Sequence, residues 1–294
     1  MNIIDGKKLA SELLVKIKNE VALLDFEPVF CDVLVGNDPS SVQYVHMKAK
    51  TAESVGIKFH HASFPASITT PDLLKEIKIL NALPNMCGII IQLPLPESID
   101  QRAVLDAIDP RLDVDCLGSV ASENFYKGEV NLGFPTALAC MAILDYLADS
   151  LNIDFNQPVS GKNIVVVGQG ILVGKPVTHL LKTRGLRVET IRSTTENKEE
   201  LLKNADLIIS GIGKGKYITG DMIKKKAVLI DAGTSESLGY SRPTGEPGSG
   251  IVGDVDLESV KDVASYVSPV PGGVGPVTVA MLLNNVLTVA KKSQ

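Results

Sequence analysis

The run Lys162-Asn163-Ile164-Val165-Val166-Val167-Gly168-Gln169-Gly170-Ile171-Leu172-Val173-Gly174-Lys175-Pro176 constrains the fold more than any other stretch of the chain. Four consecutive β-branched residues, Ile164 to Val167, read as a strand buried on both faces, the habit of a parallel sheet covered by helices. A glycine-rich turn follows, and Val173 to Thr183 then repeats its apolar residues at helical spacing up to Gly185. Strand, turn and helix together make a phosphate cradle. Gly168 permits the tight turn, Gly170 lets backbone N–H groups approach a phosphate, and the helix N-terminus adds partial positive charge. The spacing is G-x-G-x-x-x-G rather than G-x-G-x-x-G, so a plain strand-to-helix corner is the alternative.

The same alternation runs through the rest of the chain. Residues 9–24 read as an amphipathic helix, 28–35 as a strand, and Asp38 as an N-cap with Pro39 at the first helical position of a helix reaching Val55. Strands are expected at 57–64 and 88–92, with a helix at 71–80 between them and another near 101–108. Residues 118–134 read as a polar, turn-rich segment, 136–148 as a long apolar helix and 152–161 as turns. Beyond the glycine turn, strands are expected at 187–191, 206–210, 228–231 and 265–267, with helices near 198–204, 219–224 and 257–263. A last helix (278–291) has no strand after it and is free to return to the first domain. The fold class is therefore α/β with two domains: residues 1–134 with 278–294, and a Rossmann-type dinucleotide-binding domain over 135–277.

Composition narrows the function classes. The 294 residues carry a formal net charge of −5, which gives no support for nucleic-acid or anionic-membrane binding. No run approaches the roughly 18 uncharged apolar residues of a membrane span, and the first residues lack the basic-then-apolar order of a secretory signal. Cys31, Cys87, Cys116 and Cys140 are scattered without a C-x-x-C pair, so reduced thiols in the cytoplasm are expected and no metal site.

Ligands of such sheets sit beyond the carboxyl ends of the strands, which directs attention to residues 37–48 and to Gln92-Leu93-Pro94-Leu95-Pro96. On a wheel of about 100° per residue, Val42, Val45, Ala49 and Ala52 form the core stripe of the helix after Asp38. Ser41, Tyr44 and Lys48 lie on the stripe beside it. Lys48 is then either a snorkelling lysine or, if walled in by the sheet, a proton-transfer group. Gln92 is either a partner for that amine or a strand cap. Asp113 and Asp115 are either weak metal-ligand candidates or a site for an N–H-rich heterocycle. The second strand of the nucleotide-binding half ends in Arg192-Ser193-Thr194-Thr195. A base followed by hydroxyls suits a 2′-phosphate, which favours NADP over NAD; the alternative is a solvated strand end.

With these pieces placed, the chain resembles the bifunctional methylenetetrahydrofolate dehydrogenase/methenyltetrahydrofolate cyclohydrolase family over nearly its whole length. Ile4-Asp-Gly-Lys-Lys-Leu-Ala10 looks like the family's opening, and Ser41-Val-Gln-Tyr44-Val-His-Met-Lys48-Ala-Lys50 is similar to its S-x-x-Y-x-x-x-K-x-K helix. Gln92-Leu-Pro-Leu-Pro, Asp113-Val-Asp115, Val252-Gly-Asp-Val and Pro269-Val-Pro-Gly-Gly-Val-Gly-Pro276 match further family motifs. The glycine turn looks like V-G-R-S-x-x-V-G-x-P.

The resemblance implies oxidation of 5,10-methylenetetrahydrofolate with NADP, NAD being a possible substitute, then hydrolysis to 10-formyltetrahydrofolate. It implies a homodimer paired through the nucleotide domains. Lys48 would be the catalytic amine, Gln92 its holder, Tyr44 a stacking partner for folate and Asp115 the anchor for the pterin ring. Ser41 and the loop containing Pro271, Gly272 and Gly273 would contact substrate. Cofactor contacts would fall to Gly168, Gln169, Gly170, Ile171, Val173 and Gly174, and to Arg192, Ser193 and Thr278.

The chain departs from the family at three places. Cys116 stands where the family has Gly after D-V-D, Gly133-Phe-Pro-Thr-Ala137 replaces much of P-C-T-P, and Gln169-Gly170 replaces Arg-Ser. Two other readings are a monofunctional dehydrogenase and a non-catalytic folate- or nucleotide-binding protein.

Overall fold

The computed structural model describes residues 1–151, 155, 161–241 and 247–293. In chain order its elements are β1 (Asn2–Ile3), α1 (Gly6–Val21), β2 (Val29–Val35), α2 (Pro39–Ser54), β3 (Lys58–Phe64), α3 (Thr70–Asn81), β4 (Met86–Ile91), α4 (Gln101–Asp106), α5 (Ser119–Lys127) and α6 (Pro135–Leu151). There follow β5 (Ile164–Val167), α7 (Gly174–Thr183), β6 (Val188–Ile191), α8 (Lys198–Asn204), β7 (Leu207–Ser210), β8 (Val228–Asp231), β9 (Ser235–Ser241), β10 (Pro247–Val252), α9 (Leu257–Val260), β11 (Tyr266–Ser268) and α10 (Val274–Lys292). The chain divides into two compact units. One holds Ser11–Pro135 with Val279–Gln294, the other Met1–Ala10 with Thr136–Thr278.

The first unit is built on a parallel three-stranded sheet in the order β3-β2-β4. Its central strand β2 is buried along nearly its whole length. The helix α2 that follows starts as its sequence directs: Asp38 accepts a hydrogen bond from the Ser41 N–H at 2.8 Å, and Pro39 occupies the first turn. Gly56, at φ +85°, takes up the left-handed turn after Val55. The segment after α4 runs beside β4, where Ile89 pairs with Asp113. The C-terminal part of α10 belongs to this unit. A Cβ on Gly88 would stand 2.8 Å from Val286, so the helix can lie this close to β4 only because Gly88 is bare. Buried Asn285 then ties the helix down by donating to the carbonyls of Val114 (2.8 Å) and Gly133 (2.7 Å).

The second unit carries a six-stranded, all-parallel sheet in the order β1-β11-β8-β7-β5-β6. All four residues of β5 are buried, as the β-branched run requires. The order reverses between β5 and β7, so a topological switch point lies beside Gly168 and Gly211, where open α/β sheets bind ligands. The Cβ that Gly168 lacks would sit 2.9 Å from the Gly211 carbonyl oxygen, and Gly168 has φ +91°. One face of the sheet packs on a cluster that includes Val165, Val167, Leu202, Ile208 and Leu229.

Several expectations need correction. The supposedly turn-rich segment at 118–134 contains α5, whose Ala121 and Phe125 are buried four residues apart and whose end is set by Gly128 at φ +71°. Two apolar contacts are too few to announce a helix amid polar residues. The helix expected at 219–224 is a single 3-10 turn, Gly220–Met222. Strand β1 and the antiparallel β9–β10 hairpin have no counterpart in the sequence reading. The turns expected at 152–161 lie mostly outside the described residues. Among the described residues one helix, Val274–Lys292, is long and apolar enough to cross a membrane by those criteria alone, and 67% of that window is buried inside the protein.

Candidate active site

In the three-stranded unit the buried stripe of α2 is Ser41, Val45, Lys48 and Ala52. This shifts the helix face by one position from the wheel reading, which had Lys48 beside the core stripe. Lys48 retains 4% of its exposure, whereas Tyr44 keeps 41% and Lys50 faces solvent. A buried ammonium needs compensation. Lys48 Nζ donates to Gln92 Oε1 at 2.8 Å and stands 2.6 Å from Asp32 Oδ2, with the Tyr44 ring centroid 5.7 Å away. Gln92 is itself fixed, its amide donating to the Leu93 carbonyl at 2.7 Å.

Asp32 was missed by the sequence reading. It is a wholly buried carboxylate in the middle of the apolar strand Val-Phe-Cys-Asp-Val-Leu-Val. A lone acid in such a strand was the available signal, because a charge is buried only where something pairs with it. Burial raises the Asp32 carboxyl above its usual range, against the opposing pull of the Lys48 charge.

The two aspartates of Asp113-Val114-Asp115 divide their work. Asp113, 1% exposed, accepts from the Gly118 N–H at 2.7 Å and closes the 113–118 loop. Asp115 is half-buried, and no hydrogen bond within the described residues reaches its carboxylate. Burial pushes its carboxyl up to about 7, with Lys48 pulling down and Asp113 and Asp32 pushing up. Cys116 follows at φ +58°, the left-handed region that a glycine adopts freely, and its thiol is buried. The other departure in this unit, Phe134, is buried against Phe125 at 5.1 Å in an aromatic cluster with Tyr126. The unit thus offers one amine, one amide and one ionisable acid poised near neutrality. That set can move a proton and can bind N–H donors.

In the six-stranded unit the glycine turn is closely packed on one side and open on the other. A Cβ on Gly174 would lie 2.0 Å from the Gly168 carbonyl oxygen, and one on Gly211 would lie 2.6 Å from Val173 Cγ1. A Cβ on Gly170 would meet nothing within 4 Å. Gln169 turns its amide inward, donating to the carbonyl of Gly168 (2.7 Å) and to Thr178 Oγ1 (3.1 Å), which ties the turn to α7. Ile171 and Leu172 are exposed and Val173 half-buried. At the end of β6, the Arg192 N–H donates to Thr195 Oγ1 at 2.9 Å, and the side chains of Arg192 and Ser193 face solvent. The turn, the α7 N-terminus and this exposed base fit a dinucleotide: the open face at Gly170 leaves room for phosphates, and Arg192 supplies a cation.

The loop holding Pro271, Gly272 and Gly273 belongs to this same unit. It packs on the chain start, where a Cβ on Gly6 would overlap the Gly273 carbonyl oxygen at 1.8 Å. Thr278 donates its hydroxyl to the Val274 carbonyl at 3.1 Å. The loops beyond β7 and β8 are held by two buried carboxylates. Asp254 accepts from Ser210 Oγ and from the N–H groups of Ile212 and Lys214, and Asp231 from those of Gly233, Asp254 and Val255.

Comparison with known proteins also finds two domains, with residues 4–10 and 279–294 assigned the other way round from the compact units. Residues 4–115 match the tetrahydrofolate dehydrogenase/cyclohydrolase catalytic domain, and residues 135–294 match the NAD(P)-binding domain of the same family. The bifunctional protein FolD of a Nitratiruptor species is 40% identical, covering 99% of both chains. The crystal structure of bifunctional FolD from Campylobacter jejuni superimposes with a TM-score of 0.87 at 33% identity, covering 100% of both chains. The Trypanosoma brucei FolD structure, complexed with NADP cofactor and inhibitor, gives 0.88 at 34% identity, covering 99% of this chain and 97% of that one. With both domains matched, a full-length relative at 40% identity and the buried lysine on the motif helix, the chain belongs to the tetrahydrofolate dehydrogenase/cyclohydrolase family.

Proposed function

We propose that the chain oxidises 5,10-methylenetetrahydrofolate to the 5,10-methenyl compound with NADP, and then hydrolyses that product to 10-formyltetrahydrofolate. The observation that carries the reading is the buried Lys48 amine, held at 2.8 Å by Gln92 and 2.6 Å by Asp32 in the unit that matches the catalytic domain.

The hydrolytic step needs a proton carrier. Water adds to the methenyl carbon and gives up a proton. The new hydroxyl then gives up its own proton as its oxygen becomes the formyl carbonyl, the bond from that carbon to N5 breaks, N5 takes one proton and the formyl group stays on N10. The net products are the formyl compound and one proton. Lys48 is the group that takes and returns the proton, and Gln92 keeps the amine directed. Asp115, near its midpoint at neutral pH, accepts hydrogen bonds from the N–H groups of the pterin ring, and Tyr44 stacks on it from the exposed flank of α2. A bound nicotinamide cofactor would supply the hydride acceptor for the oxidative step, and the chain's part is to hold it. The N–H groups at Gly168 to Gly174 bind its phosphates, and Arg192 with Ser193 binds the 2′-phosphate. Pairing of two copies through nucleotide-binding domains, and residence in the cytoplasm, belong to the same proposal.

A steady-state assay with methylenetetrahydrofolate and each cofactor separately tests this. Reduced cofactor should form, faster with NADP than with NAD, while methenyl absorbance stays low because hydrolysis removes it. Methenyl product that accumulates and decays only at the uncatalysed rate would leave a monofunctional dehydrogenase.

A further inference from the structure

Asn285 lies on the part of α10 that belongs to the three-stranded unit, and it is wholly buried. Its amide nitrogen donates to the carbonyls of Val114 and Gly133, while its Oδ1 is buried with no hydrogen-bond partner among the described residues. An amide buried with its acceptor unpaired is costly. A helix that had only to dock would do better with an apolar residue here, and Leu282, Leu283, Val286 and Leu287 already supply that contact. What the amide adds is its two donor bonds.

The bond to Val114 reaches the site. Asp113 is pinned twice, its backbone against Ile89 of β4 and its carboxylate by the Gly118 N–H. The next carbonyl, that of Val114, meets no backbone donor among the described residues, and Asn285 holds it at 2.8 Å. That carbonyl shares a rigid plane with the Asp115 nitrogen, so only the φ of Asp115 separates the held plane from the Asp115 Cβ. The Val114 side chain is clamped as well: a Cβ on Gly88 would stand 3.0 Å from both its methyls and 2.8 Å from Val286 of α10. One residue beyond Asp115 the backbone is strained, with Cys116 at φ +58°. Such a turn persists only where its neighbours hold it. Since no hydrogen bond within the described residues reaches the Asp115 carboxylate, its direction comes from this backbone.

We propose that Asn285 is a positioning residue for the substrate: by holding the Val114–Asp115 peptide from α10, it aims the Asp115 carboxylate at the N–H groups of the pterin ring. This rests on Asp115 being the pterin anchor. An anchor that grips the ring equally in the ground and transition states shows in KM and not in kcat. A helix that is merely loosened does the reverse, since it lowers the amount of working protein.

The test is KM and kcat for hydrolysis of added methenyltetrahydrofolate in wild type, Asn285→Leu, Asn285→Ala, Asp115→Ala and the double variant Asn285→Leu/Asp115→Ala. Leu keeps the branching of Asn without its donors, and Ala leaves the space open. Both Asn285 variants should raise KM about fivefold and Asp115→Ala about tenfold, with kcat of the Asn285 variants within about twofold of wild type. The double variant should have the KM of Asp115→Ala alone, because the two residues act as one unit. An unmoved KM in a folded Asn285 variant overturns the proposal. A rise that multiplies that of Asp115→Ala also overturns it, since Asn285 would then act elsewhere. So does failure of both Asn285 single variants to fold, which would make the residue a helix anchor alone. If Asp115→Ala keeps the wild-type KM, the anchor reading fails and the inference with it. If Asp115→Ala raises KM while the Asn285 variants do not, only the role of Asn285 fails.

Discussion

Lys48 Nζ and Asp32 Oδ2 lie 2.6 Å apart, with 5% and 0% of their side chains exposed. Breaking such a pair from one side leaves a buried charge, at a cost of about 3–5 kcal/mol. Lys48→Met should therefore lose hydrolysis by at least about a hundredfold, the usual worth of a general base, and also lower stability at pH 8. Asp32→Val added to Lys48→Met should restore most of the stability and none of the hydrolysis. Denaturant midpoints for the two singles and the double give the coupling. Strictly additive losses would mean that the pair is not coupled.

The glycine turn gives a contrast between neighbours. Gly174→Ala places a methyl 2.0 Å from the Gly168 carbonyl oxygen and should cost at least about 3 kcal/mol. Gly170→Ala enters open space and should leave stability within about 0.5 kcal/mol. It should still weaken NADP binding, since the methyl occupies the open side of the cradle. Thermal unfolding with and without NADP separates the two effects.

Arg192 is exposed at the end of β6. Arg192→Ala should raise the KM for NADP about tenfold, the worth of one charge-assisted hydrogen bond, and leave the KM for NAD unchanged. Equal effects on both cofactors would place the contact elsewhere than the 2′-phosphate.

Burial pushes the carboxyls of Asp115 and Asp231 up to about 7 and about 6. Both lie above the value of about 3.9 for an unfolded aspartate, so between the two limits the folded chain binds more protons than the unfolded one. Their contribution to stability is greatest at and below about pH 4 and falls as pH rises to about 7. The urea midpoint should drop between pH 5 and pH 8, and Asp115→Asn should flatten that drop. A midpoint that climbs with pH over this range would contradict the stated environments.

The four thiols are buried, and burial pushes Cys31 and Cys140 up to about 12 and Cys87 up to about 11, with Cys116 raised as well. Thiolate is the reactive form. A thiol reagent at pH 7.5 should label the native chain slowly and all four cysteines once it is denatured.

The elements that the sequence announced are those with local causes: the β-branched run of β5, the Asp38-Pro39 start of α2, the glycine after α2. Strand β1 is two residues long and exists because β11 lies beside it, which no local pattern encodes. Helix α5 hangs on two apolar contacts and a terminal glycine. In the site, Lys48 and Gln92 were legible as a motif, but the buried stripe of α2 is turned by one position from the wheel and takes in Lys48, which pairs with Asp32. A single aspartate among apolar strand residues signals a buried partner without naming it. Only the fold brings residues 32, 48 and 92 together.

The central claim is that Lys48 carries the proton in hydrolysis, and the most direct measurement is the decay of added methenyltetrahydrofolate with wild type and Lys48→Met at matched concentrations of folded protein. Wild type should speed the decay and Lys48→Met should leave it at the uncatalysed rate. A variant that hydrolyses the compound as fast as wild type would contradict the account.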